Sequence, residues 1–161
     1  MSVDKVRKYL EQFGAADRIH EFEESSATVE LAAKALGTAP ERIAKSISIY
    51  SNDGGCILIV CAGDVKIDNK KFKECFGCKP KMLSADDVLP MTGHPVGGVC
   101  PFDVNNGVKV YLDESLRRFD TVYPAAGSAS SAVELTCDEL FRFSGALSWE
   151  DVCKSCTVAP V

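Results

Sequence analysis

The chain predicts an α+β fold, a mixed β-sheet with helices packed around it. Three observations carry this. Helical and strand-like patterns are interleaved along the sequence. Several strand candidates are joined too tightly to be parallel, so the sheet cannot be of the doubly wound kind. The run Cys56-Ile57-Leu58-Ile59-Val60-Cys61 is apolar on both faces, as a central, doubly covered strand must be. At 161 residues the chain reads as one domain, 1–161, with room for a substantial core.

The elements follow in order. Val3, Val6, Leu10 and Phe13 share one face of a helix over Ser2 to Phe13. Ile19 to Glu23 is a short strand. Thr28 to Leu36 is helical and Gly37 stops it. Pro40 to Ile43 is a single turn with proline at its start. Ser46 to Tyr50 alternates as a strand, with Ile47 and Ile49 on one face. Asn52-Asp53-Gly54-Gly55 is a hairpin turn into the apolar run. Asp68 caps a helix through Phe76 that ends at Gly77. Lys81 to Leu83 is a short strand, and Ser84 to Asp87 opens a short helix. Strands follow at Lys109 to Leu112, Phe119 to Tyr123 and Ala132 to Leu135. Thr136-x-x-Glu139 is a capping box opening a helix. Trp149 to Cys153 is a last short helix.

Composition narrows the function. Hydrophobic residues make up 46% and charged residues 25%, ordinary for a globular domain. A net charge of −5 argues against a surface coated for generic nucleic-acid binding. Lysines are nevertheless clustered, with Lys66, Lys70, Lys71, Lys73, Lys79 and Lys81 inside sixteen residues. That cluster is either a solvated helix face paired with Asp64, Asp68 and Glu74, or a local phosphate patch. Met1-Ser2-Val3-Asp4-Lys5 carries no signal-peptide pattern. The apolar run Cys56 to Ala62 is too short to span a bilayer. A cytoplasmic protein without membrane contact is expected.

The eight cysteines include Cys75-x-x-Cys78 and Cys153-x-x-Cys156. Their separation is far longer than a zinc ribbon's, and no metal or cofactor is expected. Cys56, Cys61 and Cys100 sit among apolar residues and read as buried thiols. No Gly-x-Gly-x-x-Gly or Walker motif occurs, which excludes the common nucleotide folds.

Two features remain. Thr92-Gly93-His94-Pro95-Val96-Gly97-Gly98-Val99-Cys100-Pro101-Phe102 holds three glycines and two prolines in eleven residues. Such a loop has a fixed backbone and can aim N–H groups at one point. Lys45, in Ile43-Ala44-Lys45-Ser46-Ile47, puts a charge at the start of an apolar strand.

An ordered series of motifs resembles one family. It comprises Ile43-Ala44-Lys45-Ser46-Ile47, Ala62-Gly63-Asp64 with Lys70-Lys71, Gly93-His94-Pro95-Val96-Gly97-Gly98-Val99-Cys100-Pro101, and Ala125-Ala126-Gly127-Ser128 with Val133-Glu134-Leu135. Together they resemble the YbaK/prolyl-tRNA synthetase-associated editing domains, over roughly residues 5 to 153. The resemblance implies a curled, partly barrel-like sheet. It implies an aminoacyl-tRNA deacylase of the free-standing kind, acting in trans. The substrate would be mischarged tRNA, above all tRNAPro carrying a small wrong residue such as Cys or Ala. Prolyl-tRNA synthetase is the associated partner.

By the same resemblance Lys45, Gly97 and Gly98 are catalytic. Lys45 holds phosphate or carbonyl as a cation or, if strongly desolvated, loses its proton and acts as a base; lysine in water titrates at ~10.4. Gly98 and its neighbours supply N–H donors to the reacting carbonyl. Phe22, Thr28, Ser46, His94, Pro101, Gly127 and Ser128 line or shape the substrate site. For His94 the resemblance leaves a pocket wall or a water positioner, beside a plain loop histidine bonded to backbone. Lys66, Lys70 and Lys71 are weak tRNA contacts. Some bacterial relatives that remove cysteine carry an Asp where this chain has Ala132, and some pockets have a larger aromatic where it has Thr28. The competing reading is a non-catalytic module that binds an aminoacyl or nucleotide ligand, or a synthetase.

Overall fold

A computed structural model describes residues 2–23 and 28–156. Its helices and strands, in chain order, are α1 (Ser2–Glu11), β1 (Ile19–Glu21), α2 (Val29–Leu36), β2 (Ile43–Tyr50), β3 (Cys56–Ala62), β4 (Val65–Ile67), α3 (Asn69–Phe76), α4 (Ala85–Thr92), β5 (Lys109–Asp113), β6 (Thr121–Pro124), β7 (Ser131–Val133), β8 (Leu135–Thr136), α5 (Cys137–Ser144), β9 (Trp149–Glu150) and β10 (Cys153–Ser155). Single 3-10 turns at Ala16–Arg18, Pro40–Arg42 and Glu114–Arg118 join some of them.

Six strands form a curled mixed sheet in the order β8-β6-β2-β3-β5-β9. The Asn52–Gly55 turn makes β2 and β3 antiparallel, so Lys45 lies opposite Cys61. The β2–β6, β3–β5 and β5–β9 pairs are parallel. All seven residues of β3 are buried, as its two-sided apolar run requires. Val6 and Leu10 of α1, Phe72 of α3 and Leu140 and Phe143 of α5 cover this sheet. Phe13 stacks on Phe143 at 4.4 Å.

The cap chemistry is realised. Thr28 Oγ1 accepts from Leu31 N, and Gly37 ends α2 in the left-handed region. Asp68 caps α3 and Gly77 closes it. The Thr136–Glu139 capping box is complete.

Three expectations are corrected. The strand read over Ala132 to Leu135 is two strands, because β7 pairs with β1 while β8 pairs with β6, and Glu134 is the joint. The helix expected over Trp149 to Cys153 is absent. Two short strands replace it, β9 against β5 and β10 against β4. The strand expected over Lys81 to Leu83 is a single bridge, Ile49 to Met82. Among the described residues no helix is long and apolar enough to cross a membrane.

Candidate functional site

The ends of β2 and β6, the start of α2 and two small-residue loops surround a cavity of about 290 Å³. Its floor and one wall are Ile43, Ala44, Lys45, Ser46 and Ser48 of β2. Thr28, the cap of α2, and Val29 and Ala32 of α2 line it as well. Val96, Gly97 and Val99 come from the glycine loop, and Ser128, Ala129, Ser131 and Ala132 from the second loop and β7. Lys45 is the one charged side chain lining it among the described residues.

Lys45 Nζ lies 3.5 Å from the Gly63 carbonyl, at the far end of the partner strand. Gly63 is required there. A Cβ would collide with Pro40 O and come within 2.6 Å of Val29 Cγ1. The next residue, Asp64, is gripped by the Arg118 guanidinium at 3.0 and 2.5 Å. That bond, with a smaller pull from Lys45, holds the Asp64 carboxyl below the usual range. Beside Lys45, the Ser46 hydroxyl is buried and has no hydrogen-bond partner among the described residues. A buried, unpaired hydroxyl on a cavity wall costs stability unless a ligand completes it.

The glycine loop is welded to the second loop. A Cβ on Gly98 would sit 2.8 Å from Gly127 O and 2.8 Å from Ser128 Cα, so only glycine lets the two backbones touch. The Gly98 N–H donates to Pro95 O at 2.9 Å, so it is spent inside the loop. Gly97, at φ +85°, lines the cavity. The Gly97 and Val99 N–H groups reach no acceptor among the described residues.

His94 lies inside the loop. Its side chain is fully buried, and Nε2 meets Phe102 O at 2.7 Å and Cys100 Sγ at 3.6 Å. Burial pushes its pKa down, against the Phe102 carbonyl, which favours the protonated ring. It does not line the cavity. Burial pushes the Cys100 thiol up to about 12, so this cysteine has no thiolate to offer as a nucleophile.

The other expected residues divide. Thr28, Ser46 and Ser128 line the cavity with Lys45 and Gly97. Thr28 is both helix cap and cavity wall. Gly98, Gly127 and Pro101 stand behind the lining, the first two as the weld. Phe22 N donates to Ser130 O, but its side chain lies on a separate groove with His20, Leu36 and Glu134. Tyr123 is the wall shared by groove and cavity. Ser128, Ser130 and Ser131 hydrogen-bond one another. Ser131 was missed in sequence. It is 3% exposed and bonds the Ala126 and Ser128 N–H groups, so it is the hub of the second loop. Its signal was the Ser-rich stretch at 128–131. The lysines Lys66, Lys70 and Lys71 lie off the cavity, on β4 and α3. Among the described residues no group of three or more His, Cys, Asp or Glu is placed to hold a metal.

Comparison with known proteins agrees with this architecture. The model of the aminoacyl-tRNA editing domain family matches residues 23–143. A Bacillus subtilis (strain 168) protein, "Uncharacterized protein YwhH", is 53% identical over 154 residues, covering 96% of this chain and 98% of that one. The Enterococcus faecalis (strain ATCC 700802 / V583) protein named "Putative Cys-tRNA(Pro)/Cys-tRNA(Cys) deacylase EbsC" is 28% identical over 140 residues, 85% of each chain. A solved structure described as a "putative trans-editing enzyme for prolyl tRNA synthetase" superimposes with a TM-score of 0.86. It is 28% identical and covers 96% of this chain and 98% of that one. The chain belongs to the aminoacyl-tRNA editing domain family, and fold and family together support aminoacyl-tRNA deacylase activity.

Proposed function

We propose that this protein hydrolyses the ester of tRNA charged with a small wrong amino acid, with tRNAPro carrying Cys or Ala as the first candidates, and that it acts in trans in the cytoplasm. The observation that carries the reading is the cavity itself. Among the described residues it sets one cation, Lys45, beside a Ser46 hydroxyl without a partner, between walls mostly of Ala, Val, Ser and Gly with Thr28, Ile43 and Tyr123. The names of the relatives point the same way.

An aminoacyl ester needs little activation. Its carbonyl must be held, a water aimed and the oxyanion neutralised. The Lys45 ammonium and the unspent Gly97 and Val99 N–H groups receive the oxyanion. Ser46 completes its hydrogen bond on the aminoacyl group or the attacking water. Gly98, Gly127, Pro101 and His94 keep the loop in shape, and Thr28 and Ser128 bound the amino-acid side chain. Ala132 and Thr28 put no carboxylate and no aromatic ring at their own positions of the lining, and Tyr123 is its aromatic member among the described residues. Discrimination by one methylene is worth only ~1–3 kcal/mol, so a synthetase pocket that holds proline needs such a second check on smaller residues.

The test is deacylation of Ala-tRNAPro, Cys-tRNAPro, Ser-tRNAPro and Pro-tRNAPro by the wild type and Lys45→Ala. Rapid loss of one mischarged species is expected, with Pro-tRNAPro spared. The variant should lose roughly 100-fold or more in kcat, the scale of a lost oxyanion donor. A folded wild type that leaves all mischarged species intact, here and on other tRNAs, would refute the reading and favour a binding module.

A further inference from the structure

Outside the cavity, β4 and β10 form an antiparallel ribbon whose register sets Lys66 directly opposite Lys154. Both side chains are exposed, and neither forms an ion pair among the described residues. Like charges directly opposite on a ribbon destabilise it. Lys70 follows in the first turn of α3, where the helix dipole disfavours a cation. It too has no ion-pair partner among the described residues. The nearby Asp68 carboxylate is bonded to the Lys70 and Lys71 N–H groups at 3.0 and 3.1 Å. Lys71 differs: its ammonium is tied to Asp151 and to the Cys153 carbonyl, both at 3.0 Å. Asp68 attracts Lys154 without forming an ion pair with it, so three exposed cations gather on this ribbon and helix start with one carboxylate beside them.

Their place along the chain gives them a direction. The Gly63 carbonyl that meets Lys45 Nζ is three residues before Lys66. Three residues of chain span at most ~11 Å. The one carboxylate between them, Asp64, is neutralised by Arg118. A polyanion leaving the Lys45 cavity in this direction meets three cations, Lys66, Lys154 and Lys70, against one carboxylate, Asp68, whose oxygen is bonded to the α3 N–H groups.

We propose that Lys66, Lys154 and Lys70 bind backbone phosphates of the tRNA acceptor end while its 3′ ester lies at Lys45. This rests on the deacylase reading and extends it to the nucleic acid, naming a β4–β10 surface in place of the whole lysine cluster.

The test is binding of an uncharged tRNAPro transcript, by fluorescence anisotropy over a KCl series. Lys66→Ala/Lys154→Ala should bind roughly tenfold more weakly, with a salt slope shallower by about 1.4–1.8 for two lost phosphate contacts. Lys73→Ala/Lys79→Ala, which removes the same charge elsewhere in the cluster, should bind as wild type does. On the mischarged tRNA that the wild type hydrolyses, the ribbon variant should raise KM and keep kcat. On a 3′-aminoacyl-adenosine ester it should match wild type. Unchanged binding by the ribbon variant, an equal loss in the control, or no binding by the wild type each overturns the proposal. A wild type that binds tRNA through the ribbon yet cleaves no ester would instead remove the deacylase reading and leave the surface standing.

Discussion

Gly98 and Gly63 show what a single hydrogen in place of a methyl group can decide. Each lies where a Cβ would strike backbone: Gly127 and Ser128 in one case, Pro40 in the other. Alanine at either site must push two segments apart. We expect Gly98→Ala and Gly63→Ala each to destabilise the fold by about 1–3 kcal/mol, as overpacking does, and to depress deacylation by more than the stability loss alone explains. Gly97→Ala is the informative contrast. Its Cβ would meet only Ala129 Cβ at 3.5 Å, leaving just the positive φ as a penalty, about 1–2 kcal/mol. Urea unfolding with parallel rate measurements distinguishes them. Equal stability for Gly98→Ala and wild type would mean that the loops are not welded there. The residue scale is also where sequence reading met its limit. The glycines at 97 and 98 announced a fixed loop, but not that the Gly98 N–H is bonded to Pro95 while the Gly97 N–H is not. His94 sits in the same motif, and nothing in its neighbours tells whether a ring faces ligand or core.

Elements were legible where a side chain closes a backbone ledger locally. Thr28 and Gly37, Asp68 and Gly77, and Thr136 with Glu139 all delimit helices in the structure as their chemistry requires. The capping box gives a clean measurement: Thr136→Ala should cost about 1 kcal/mol in urea unfolding, with the rest of the fold intact. A loss below a few tenths would show that the Arg18–Glu139 ion pair, at 2.7 Å, holds the helix start by itself. Elements were illegible where pairing is distant and short. Trp149, Val152 and Cys153 fall at helical spacing, yet β9 is two residues and β10 three. Their partners, Leu112 and Asp113 for one and β4 for the other, lie over thirty residues upstream. Glu134 likewise lies between two strands of different sheets, and no local pattern marks that change.

The whole molecule has one predictable response to acid. His94 is buried and its pKa lies below the ordinary ~6.5, so the unfolded chain binds its proton more readily. The sign follows: this contribution to stability is complete above the unfolded value and is lost as pH falls below it toward the folded one. Burial is the largest cause, Lys5 adds to it, and the Phe102 carbonyl and Asp103 oppose it. The unfolding free energy should therefore fall below pH ~6.5 by at most about 1.4 kcal/mol per pH unit from this group. His94→Gln should flatten that limb. An unchanged slope in the variant would assign the acid response to the carboxylates instead. The fold class was legible at this scale because the apolar run of β3 demanded cover on both faces and the Asn52–Gly55 turn demanded an antiparallel neighbour.

The short covalent step from Gly63 to Lys66 acts as a ruler. Lys45 is pinned to one end of it and the ribbon lysines to the other. The spacing between the cation of the cavity and Lys66 on the surface is thus set in part by a fixed number of residues. One residue inserted between Gly63 and Val65 would do more than lengthen the ruler. Strand side chains alternate with a period of two, so a shifted β4 would turn Lys66 inward and Val65 or Ile67 out to water. Across homologous chains, deletions and insertions should be tolerated in the Asn52–Gly55 hairpin and excluded from this step.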